Sequence, residues 1–377
     1  MVHKSNNFKL SKLKLVDYKD ICNECFVGNN KVNKFQDNTL YIFKRAENTR
    51  LSPLINVSQE VKLPNSFTSK DFYVASIKNG FCMQRQVILK DKKFILPDSF
   101  RRYETLGYGH SQLPYNLIDK TFDTLDISNI RSVAGEYIFL SGEVSSHFGH
   151  FLLEVVSRLW IAKYLDLKKY KFIMNPFDKF KWQLDILKAL GIRQEQIYYL
   201  DNPTIFERVL IPVQAFALER FSSTFATDTW NKIGAYYDTG LGPEKIYVSR
   251  SKIQHKRRLL NELVVEKIFS SHGFKIIHPQ ELEIKDQINT FRNAKFIAGP
   301  AGSAMYNCIF QKNASKKLIM APPKFIIPND ILINGSSKCE LNYFIGKNVG
   351  NEPSGMFADW IVDIDKLSKF IKKSILR

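Results

Sequence analysis

The feature that most constrains the fold is an alternation of strand and helix patterns that begins near residue 130. Short apolar segments at 136–141 and 171–174 are followed by segments with apolar residues at helical spacing, at 148–165 and 180–190. Alternation of this kind is typical of parallel sheets covered by helices. The sequence therefore predicts an α/β fold.

A turn-rich break at 238–243, Asp-Thr-Gly-Leu-Gly-Pro, separates this series from a second one. The second series predicts strands at 245–249, 274–277, 295–298 and 317–320, helices at 261–271, 284–294 and 304–310, and a terminal helix at 360–375. We expect two lobes, 101–240 and 241–377, with the ligand site in the cleft between them. Residues 1–100 predict a small β-rich segment of unknown role, with extended pieces at 39–43, 61–63, 72–77 and 86–89.

Charge and cysteine content limit the environment and the partners. The chain has 55 Lys and Arg against 37 Asp and Glu, a net charge of +18, which indicates a polyanionic partner: nucleic acid, an anionic membrane or a phosphorylated substrate. Its five cysteines are an odd number in a long chain, which favours a reducing compartment. With no signal-peptide pattern and no long apolar run, we expect a cytoplasmic protein whose membrane contact is peripheral.

One segment places histidine and carboxylate at helical spacing just after a predicted strand. His150 and Glu154 are four residues apart and share one helix face, and His147 lies three residues earlier. Such a pair can move a proton in catalysis, but spacing alone also allows a structural pair or metal ligands. The order differs from the H-E-x-x-H arrangement of zinc proteases, and no acidic or cysteine cluster completes a site, so no metal is predicted.

Two loops of the second lobe are suited to anions. The first follows strand 245–249 and carries Arg250, Lys252, His255, Lys256, Arg257 and Arg258 before Asn261 and Glu262. Arginine binds two phosphate oxygens at once, although a solvated basic loop is the alternative. The second loop, Gly299-Pro-Ala-Gly302-Ser, joins a strand to a helix and lets backbone approach a ligand, although it matches neither the G-x-G-x-x-G spacing nor a Walker A loop.

Taken in order, these motifs resemble glycosyltransferase family 61, and more narrowly its bacterial capsular polysaccharide branch. The resemblance covers roughly residues 130–325. The matching positions are Gly149-His150, Leu153-Glu154, Arg158-Leu159, Ser249-Arg250, Arg257, Asn261-Glu262, Gly273-Phe274, Gln287, Ala294, Gly299-Pro300, Gly302 and Asn307 through Phe310.

The resemblance implies a GT-B fold with two facing Rossmann-like lobes, and an inverting transfer from a nucleotide-activated sugar without a metal ion or other cofactor. It implies His150 and Glu154 as the catalytic pair, with the order of their roles open, and His147 and Arg158 as acceptor-side contacts. The implied donor-binding residues are Arg250, Arg257, Arg258, Asn261, Glu262, Gly299, Ala301, Gly302 and Ser303.

Two positions depart from the family pattern. Many members carry histidine where Ala301 stands, so another cation, Arg258 or Lys252, would have to serve the leaving group here. Many bacterial members carry asparagine near the position of His147, which indicates different acceptor contacts.

Two other functions stay open: a catalytically inactive glycan-binding or scaffold protein of the same fold, and a basic nucleic-acid-binding protein. The chain has no RNP1-like, zinc-finger or helix-turn-helix signature, so nucleic acid is not a predicted partner. The predicted partners are a nucleotide sugar donor, a glycan or glycolipid acceptor that the charge suggests is anionic, and the inner membrane surface. The basic amphipathic end of the chain suits such a membrane contact, and packing of this end against the first lobe is an equal alternative.

Overall fold

The computed structural model describes residues 8–10, 13–51, 56–58, 66–101, 110, 112–113, 115–116, 121–122, 125–253, 255, 257–312, 315–337, 339–350 and 357–374. The chain forms two compact units, each built from two stretches of sequence. The N-terminal unit comprises Met1–Glu47 and Thr68–Leu218, and the C-terminal unit comprises Asn48–Phe67 and Glu219–Arg377.

The strands in chain order are β1 (Phe8–Leu10), β2 (Lys14–Leu15), β3 (Asn23–Phe26), β4 (Thr39–Lys44), β5 (Asn48–Arg50), β6 (Asn56–Val57), β7 (Ser66–Thr68), β8 (Phe72–Met83), β9 (Val87–Lys90), β10 (Phe94–Ile95), β11 (Tyr115–Asn116), β12 (Thr121–Phe122), β13 (Leu125–Ile127), β14 (Arg131–Phe139), β15 (Lys171–Met174), β16 (Ile197–Tyr199), β17 (Thr204–Pro212), β18 (Lys245–Val248), β19 (Lys275–Ile277), β20 (Phe296–Pro300), β21 (Lys316–Ala321), β22 (Glu340–Ile345), β23 (Lys347–Asn348) and β24 (Trp360–Ile361).

The α-helices are α1 (Phe148–His150), α2 (Lys181–Lys188), α3 (Thr224–Tyr237), α4 (Glu262–Ser271), α5 (Ile284–Asn293), α6 (Pro328–Ser337) and α7 (Ile364–Ser374). A π-helical turn at Phe151–Val155 and 3₁₀ segments at Val156–Lys163 and Ser303–Phe310 complete the longer helical pieces. Short 3₁₀ turns lie at Tyr18–Asp20, Pro97–Ser99, Leu167–Lys169, Gln194–Gln196 and Pro279–Glu281. Across the described ranges, no helix is both long and apolar enough to span a membrane.

The main sheet of the N-terminal unit has a parallel half and an antiparallel half. Strands β16, β15, β14 and β17 lie side by side in that order and run parallel. Strand β8 pairs antiparallel with β17, and β9, β10 and β4 extend this half. Strands β2, β3, β4, β8, β9 and β10 of the first hundred residues therefore join the same sheet as β14. The unit extends from this segment to Leu218, whereas the predicted boundaries lie at 100 and 240.

The sheet of the C-terminal unit is parallel, in the order β19, β18, β20, β21, β22, with β6 added beyond β22. Numbered along the chain from β18, the first five strands lie in the order 2-1-3-4-5, which is one of the two common orders of doubly wound α/β sheets. In such sheets ligands bind beyond the carboxyl ends of the strands, beside the point where the order reverses. That point lies between β18 and β20. The predicted α/β fold with parallel sheets is confirmed.

The predicted terminal helix begins too early. Trp360 lies in β24, which pairs antiparallel with β23, and α7 begins only at Ile364. The indole of Trp360 is 1% exposed and fills the core of the C-terminal unit, next to Leu367 and Ile371 of α7. Burial of this side chain within an extended segment outweighs the helical spacing that the sequence shows. The strand predicted at 61–63 lies outside the described residues.

Candidate active site

The helical segment after β14 changes its hydrogen-bond pattern along its length. It begins as α1, continues as a π-helical turn over Phe151–Val155, and ends as a 3₁₀ segment over Val156–Lys163. π-Helical turns are rare, and they occur frequently at functional sites. Here the turn contains Glu154, whose side chain is 4% exposed.

Three side chains meet at this turn. Glu154 Oε2 lies 2.7 Å from His150 Nδ1, and Glu154 Oε1 accepts a hydrogen bond of 2.8 Å from Arg101 Nε. Arg101 Nη2 lies 2.9 Å from His150 Nδ1. The side chains of His150 and Arg101 are 28% and 22% exposed, so the carboxylate is buried behind a more accessible imidazole.

The charges around Glu154 keep it ionised. Burial raises the pKa of Glu154, but the hydrogen bond to His150 and the positive charge of Arg101 outweigh burial, so that the net shift is downwards. His150 Nδ1 can donate to Glu154 or accept from Arg101, but it cannot do both. The shorter contact and the full charge of the carboxylate favour the proton on Nδ1, which leaves the lone pair of Nε2 for another group.

His147 and Arg158 are placed differently from each other. The ring of His147 lies 5.0 Å from that of His150 between centroids, and desolvation, followed by the charges of His150 and Arg101, lowers the pKa of His147. Arg158 is fully buried and donates to Asp98 Oδ1 at 2.8 Å and to the carbonyl of Pro212 at 2.6 Å. In contrast to the predicted acceptor-side contact, Arg158 therefore serves the core of its unit.

The C-terminal unit brings Arg250 and Gly302 together at the reversal of strand order. Arg250 follows β18 and Gly302 follows β20, and a Cβ atom at position 302 would stand 2.8 Å from Arg250 Nη1. A side chain at position 302 would displace the guanidinium, which glycine leaves in place. Burial lowers the pKa of Arg250, although the charge of Glu262 opposes the shift.

A second arginine shares this region. The guanidinium carbon of Arg257 lies 4.0 Å from the ring centroid of Phe325, which is a cation–π contact. Burial, followed by the charge of Arg250, lowers the pKa of Arg257 to about 10. Arg250 and Arg257 are therefore two partly desolvated cations that repel each other. A bound anion would offset both their desolvation and their mutual repulsion.

Glu262 lies beneath this region. Its side chain is buried, and Oε1 accepts hydrogen bonds from the backbone N–H of Arg250 at 2.8 Å and from the hydroxyl of Tyr247 at 3.1 Å. Although the sequence analysis placed Glu262 among the donor-binding residues, its contacts hold the backbone at the end of β18. Burial raises the pKa of Glu262 to about 7, against the effect of these hydrogen bonds.

We expect Glu262 to make stability depend on pH. Between its ordinary value of 4.5 and about 7, the folded protein retains a proton that the unfolded chain has lost, so the free energy of unfolding falls as pH rises through this window. Glu262→Gln should reduce the fall between pH 5 and pH 8 by on the order of 2 kcal/mol, measured by chemical denaturation. Glu281→Gln, at an exposed carboxylate paired with Lys252, is the control. An unchanged pH dependence in Glu262→Gln would contradict the assignment.

The other predicted donor-binding residues have structural partners. Arg258 Nε donates to Asp359 at 3.0 Å, and the side chain of Asn261 exchanges hydrogen bonds with the backbone of Val362. A Cβ atom at Gly299 would stand 2.6 Å from a backbone oxygen of β18, so this glycine permits close strand packing. Lys252 Nζ binds both oxygens of Glu281. The two proposed replacements for the family histidine, Arg258 and Lys252, are therefore each paired with a carboxylate.

Ala301 and Ser303 flank Gly302. Ala301 is buried, and its backbone N–H donates to the carbonyl of Met320 at 2.8 Å. Ser303 begins the 3₁₀ segment that follows the loop. In the part of the chain that the structure describes, no group of three or more His, Cys, Asp or Glu side chains is arranged to hold a metal ion.

Sequence reasoning missed Arg101 and Phe325. Arg101 precedes Glu154 by 53 residues, and it follows a 3₁₀ turn rather than a recognisable motif. Phe325 follows the Pro322-Pro323 pair, which the sequence shows only as the end of a strand. A lone arginine or phenylalanine carries no spacing signal, so only the fold reveals either contact.

Comparison with known proteins identifies the enzyme class. The chain carries a glycosyltransferase domain, which confirms the predicted class. Residues 148–323, rather less than half of the chain, match the family model described as Glycosyltransferase 61, and this match supports the family that the motifs resemble. No curated protein matches the chain. The matched range includes His150, Glu154, Arg250 and Arg257, but neither Arg101 nor Phe325.

Proposed function

We propose that the protein is an inverting, metal-independent glycosyltransferase that transfers sugar from a nucleotide-activated donor in bacterial capsular or surface polysaccharide biosynthesis, in the cytoplasm. The observation that carries the proposal is the placement of Arg250 against Gly302 at the strand-order reversal of the C-terminal unit. We further propose that the two units act as the acceptor and donor lobes of a GT-B enzyme. The capsular role rests on the resemblance of the motifs.

The donor diphosphate would bind Arg250 and Arg257. A guanidinium presents paired N–H donors to phosphate oxygens, and both groups are already partly desolvated. As the bond between the anomeric carbon and the diphosphate breaks, negative charge grows on the leaving oxygen. Cations fixed in place before the reaction stabilise this charge, which is commonly the largest contribution to catalysis.

The acceptor hydroxyl would lose its proton to His150 Nε2. Its oxygen bonds to the anomeric carbon on the face opposite the diphosphate, so a single displacement inverts the configuration. The proton on Nδ1 stays between His150 and Glu154, whose buried negative charge stabilises the imidazolium that forms. Arg101 fixes the other oxygen of Glu154. This assigns the base to His150 and the orienting role to Glu154.

The two arginines would supply the positive charge that many nucleotide-sugar enzymes take from a divalent cation. We therefore expect the transfer rate in excess EDTA to stay within about twofold of the untreated rate. A nucleoside diphosphate at a hundred times its Kd should stabilise the protein by about 2.7 kcal/mol, read as a rise in Tm, in EDTA as well as without it. Complete loss of transfer in EDTA with recovery on adding divalent ions would contradict metal independence.

A catalytically inactive glycan-binding protein is the second candidate, because Ala301 stands where many family members carry histidine. A screen of nucleotide sugars for donor hydrolysis or transfer separates the two. Turnover of any donor, lost on Arg250→Ala, removes the second candidate.

A further inference from the structure

The apolar face of the terminal helix is already occupied. Leu367 and Ile371 of α7 are fully buried in the core of the C-terminal unit, and Phe370 packs against the same core. Only the lysine-bearing side of α7 faces solvent, at Lys366, Lys369, Lys372 and Lys373. Within the described residues of α7, the basic amphipathic helix that the sequence suggests as a membrane contact therefore has its apolar face buried in its own unit.

A different surface of the same unit is apolar and exposed. Six large apolar residues from the start of α4, the β23–β24 ribbon and the segments beside them form it, and we call it the apolar ribbon patch: Leu260, Leu263, Val264, Val349, Phe357 and Ile361. Backbone hydrogen bonds join the segments that carry it, from Leu260 N to Trp360 O at 2.9 Å and from Val349 N to Asp359 O at 2.8 Å.

The segments that carry the apolar ribbon patch also contribute buried side chains to the core of the unit. Neighbouring residues point inwards, since Leu259, Trp360 and Val362 are all buried. The outward positions between and beside them, Leu260 and Ile361, would ordinarily be polar. Leu263 is 65% exposed and Val264 is 46% exposed on the first turn of α4. Several exposed large apolar residues on segments joined by hydrogen bonds are typical of an interaction site.

Lysines border the patch. Lys347 lies directly across the β23–β24 ribbon from Ile361, and it lines a cavity of about 360 Å³ together with Lys366. Lys267 is exposed one helical turn beyond Leu263. Among the described residues, Asp359 is engaged with Arg258, and Asp363 lies 3.9 Å from Lys366.

We propose that the apolar ribbon patch binds the surface of an anionic lipid bilayer. Apolar side chains inserted at the headgroup level, with lysines around them, are the pattern of interfacial membrane contacts. The net charge of +18 adds long-range attraction to such a surface. A symmetric dimer through this face would bring together two surfaces that carry the same positive charge, from Lys267 and Lys347, which opposes such a dimer.

The test uses the full chain and vesicles of phosphatidylcholine with or without 30% phosphatidylglycerol, in a flotation assay. The triple variant Leu263→Gln, Val264→Gln, Ile361→Gln is expected to bind anionic vesicles about tenfold more weakly than the original protein. Leu241→Gln is the matched control, because Leu241 is 77% exposed in the same unit outside the patch, and it should change binding less than twofold. Leu263→Trp should show fluorescence quenching by brominated lipid.

Equal binding of the triple variant and the original protein, or absence of quenching in Leu263→Trp, would overturn the proposal. The proposal would also be overturned if anionic vesicles bound neither protein and the original protein formed a concentration-dependent dimer that the triple variant does not form. The stabilisation of each variant by a nucleoside diphosphate reports on the donor site separately, so failure of the membrane proposal leaves the proposed transferase activity untouched.

Discussion

Arg250→Ala is expected to lower sugar transfer by about 10²–10³-fold while the protein stays folded. The guanidinium stands at the strand-order reversal of the C-terminal unit, against Gly302, where a leaving diphosphate would gain negative charge. The side chain is partly desolvated, as its lowered pKa shows, so its removal costs the fold little. Transfer is measured in single turnover with saturating donor, and Tm is measured alongside.

Arg258→Ala is the matched control for this variant. Arg258 belongs to the same basic loop, but its guanidinium is engaged with Asp359 on the surface, and we expect a change in transfer of less than about threefold. Arg250→Ala should also lose the rise in Tm that a nucleoside diphosphate produces. Transfer at the original rate in Arg250→Ala would remove the diphosphate site from this loop.

Glu154→Gln should lower transfer by about 10²–10⁴-fold through the wrong tautomer of His150. Without the carboxylate, Arg101 Nη2, 2.9 Å away, donates to Nδ1, and the proton moves to Nε2, where the base needs a lone pair. The variant differs in which ring nitrogen carries the proton, so we expect the fold loss to be similar at every pH tested. Single-turnover rates between pH 6 and pH 9 check this expectation.

The same reasoning predicts a partial recovery. In the double variant Glu154→Gln, Arg101→Met, the amide oxygen of Gln can accept from Nδ1, so the productive tautomer returns and transfer should rise about tenfold above that of Glu154→Gln alone. If the double variant is slower than the single one, Arg101 acts on the substrate rather than on Glu154. If His150→Ala keeps most of the original rate, His150 is not the base.

The sequence predicts the parallel sheets because their strands are apolar and their helices have a clear period. β15 occupies the predicted residues 171–174, and α5 ends one residue before its predicted limit. Local pattern was sufficient at these elements because packing and periodicity agree. At 148–165 the helical period is present, yet the segment changes from α to π to 3₁₀. The spacing of the side chains does not determine to which backbone carbonyl each N–H donates its hydrogen bond.

Some residues of the candidate site can be predicted from the sequence, and others become visible only in the structure. His150, Glu154, Arg250 and Arg257 follow from motif order, because each belongs to a motif that comes after a strand revealed by the pattern. The roles of Arg101 and Phe325 depend on contacts that form only in the folded protein. Arg101, for example, is 53 residues from Glu154 in the sequence. The burial of Arg158 and Glu262 was also hidden, since a charged residue at a helix position is ordinarily exposed. Only the position of Asp98 shows why Arg158 is tolerated in the core.

Strand β6 has a consequence for how the protein can be made and divided. Residues near the start of the chain close the edge of a sheet whose other strands come from its second half: Asn56 and Val57 pair with β22, and Ser58 Oγ accepts from the backbone of Ile345. A ribosome releases this edge strand almost three hundred residues before its neighbour exists. The C-terminal unit therefore completes its sheet only after β22 is synthesised. A fragment that begins at Glu219 lacks the Asn48–Phe67 stretch of its own unit, whereas a fragment that ends at Leu218 carries that stretch without the rest of that unit.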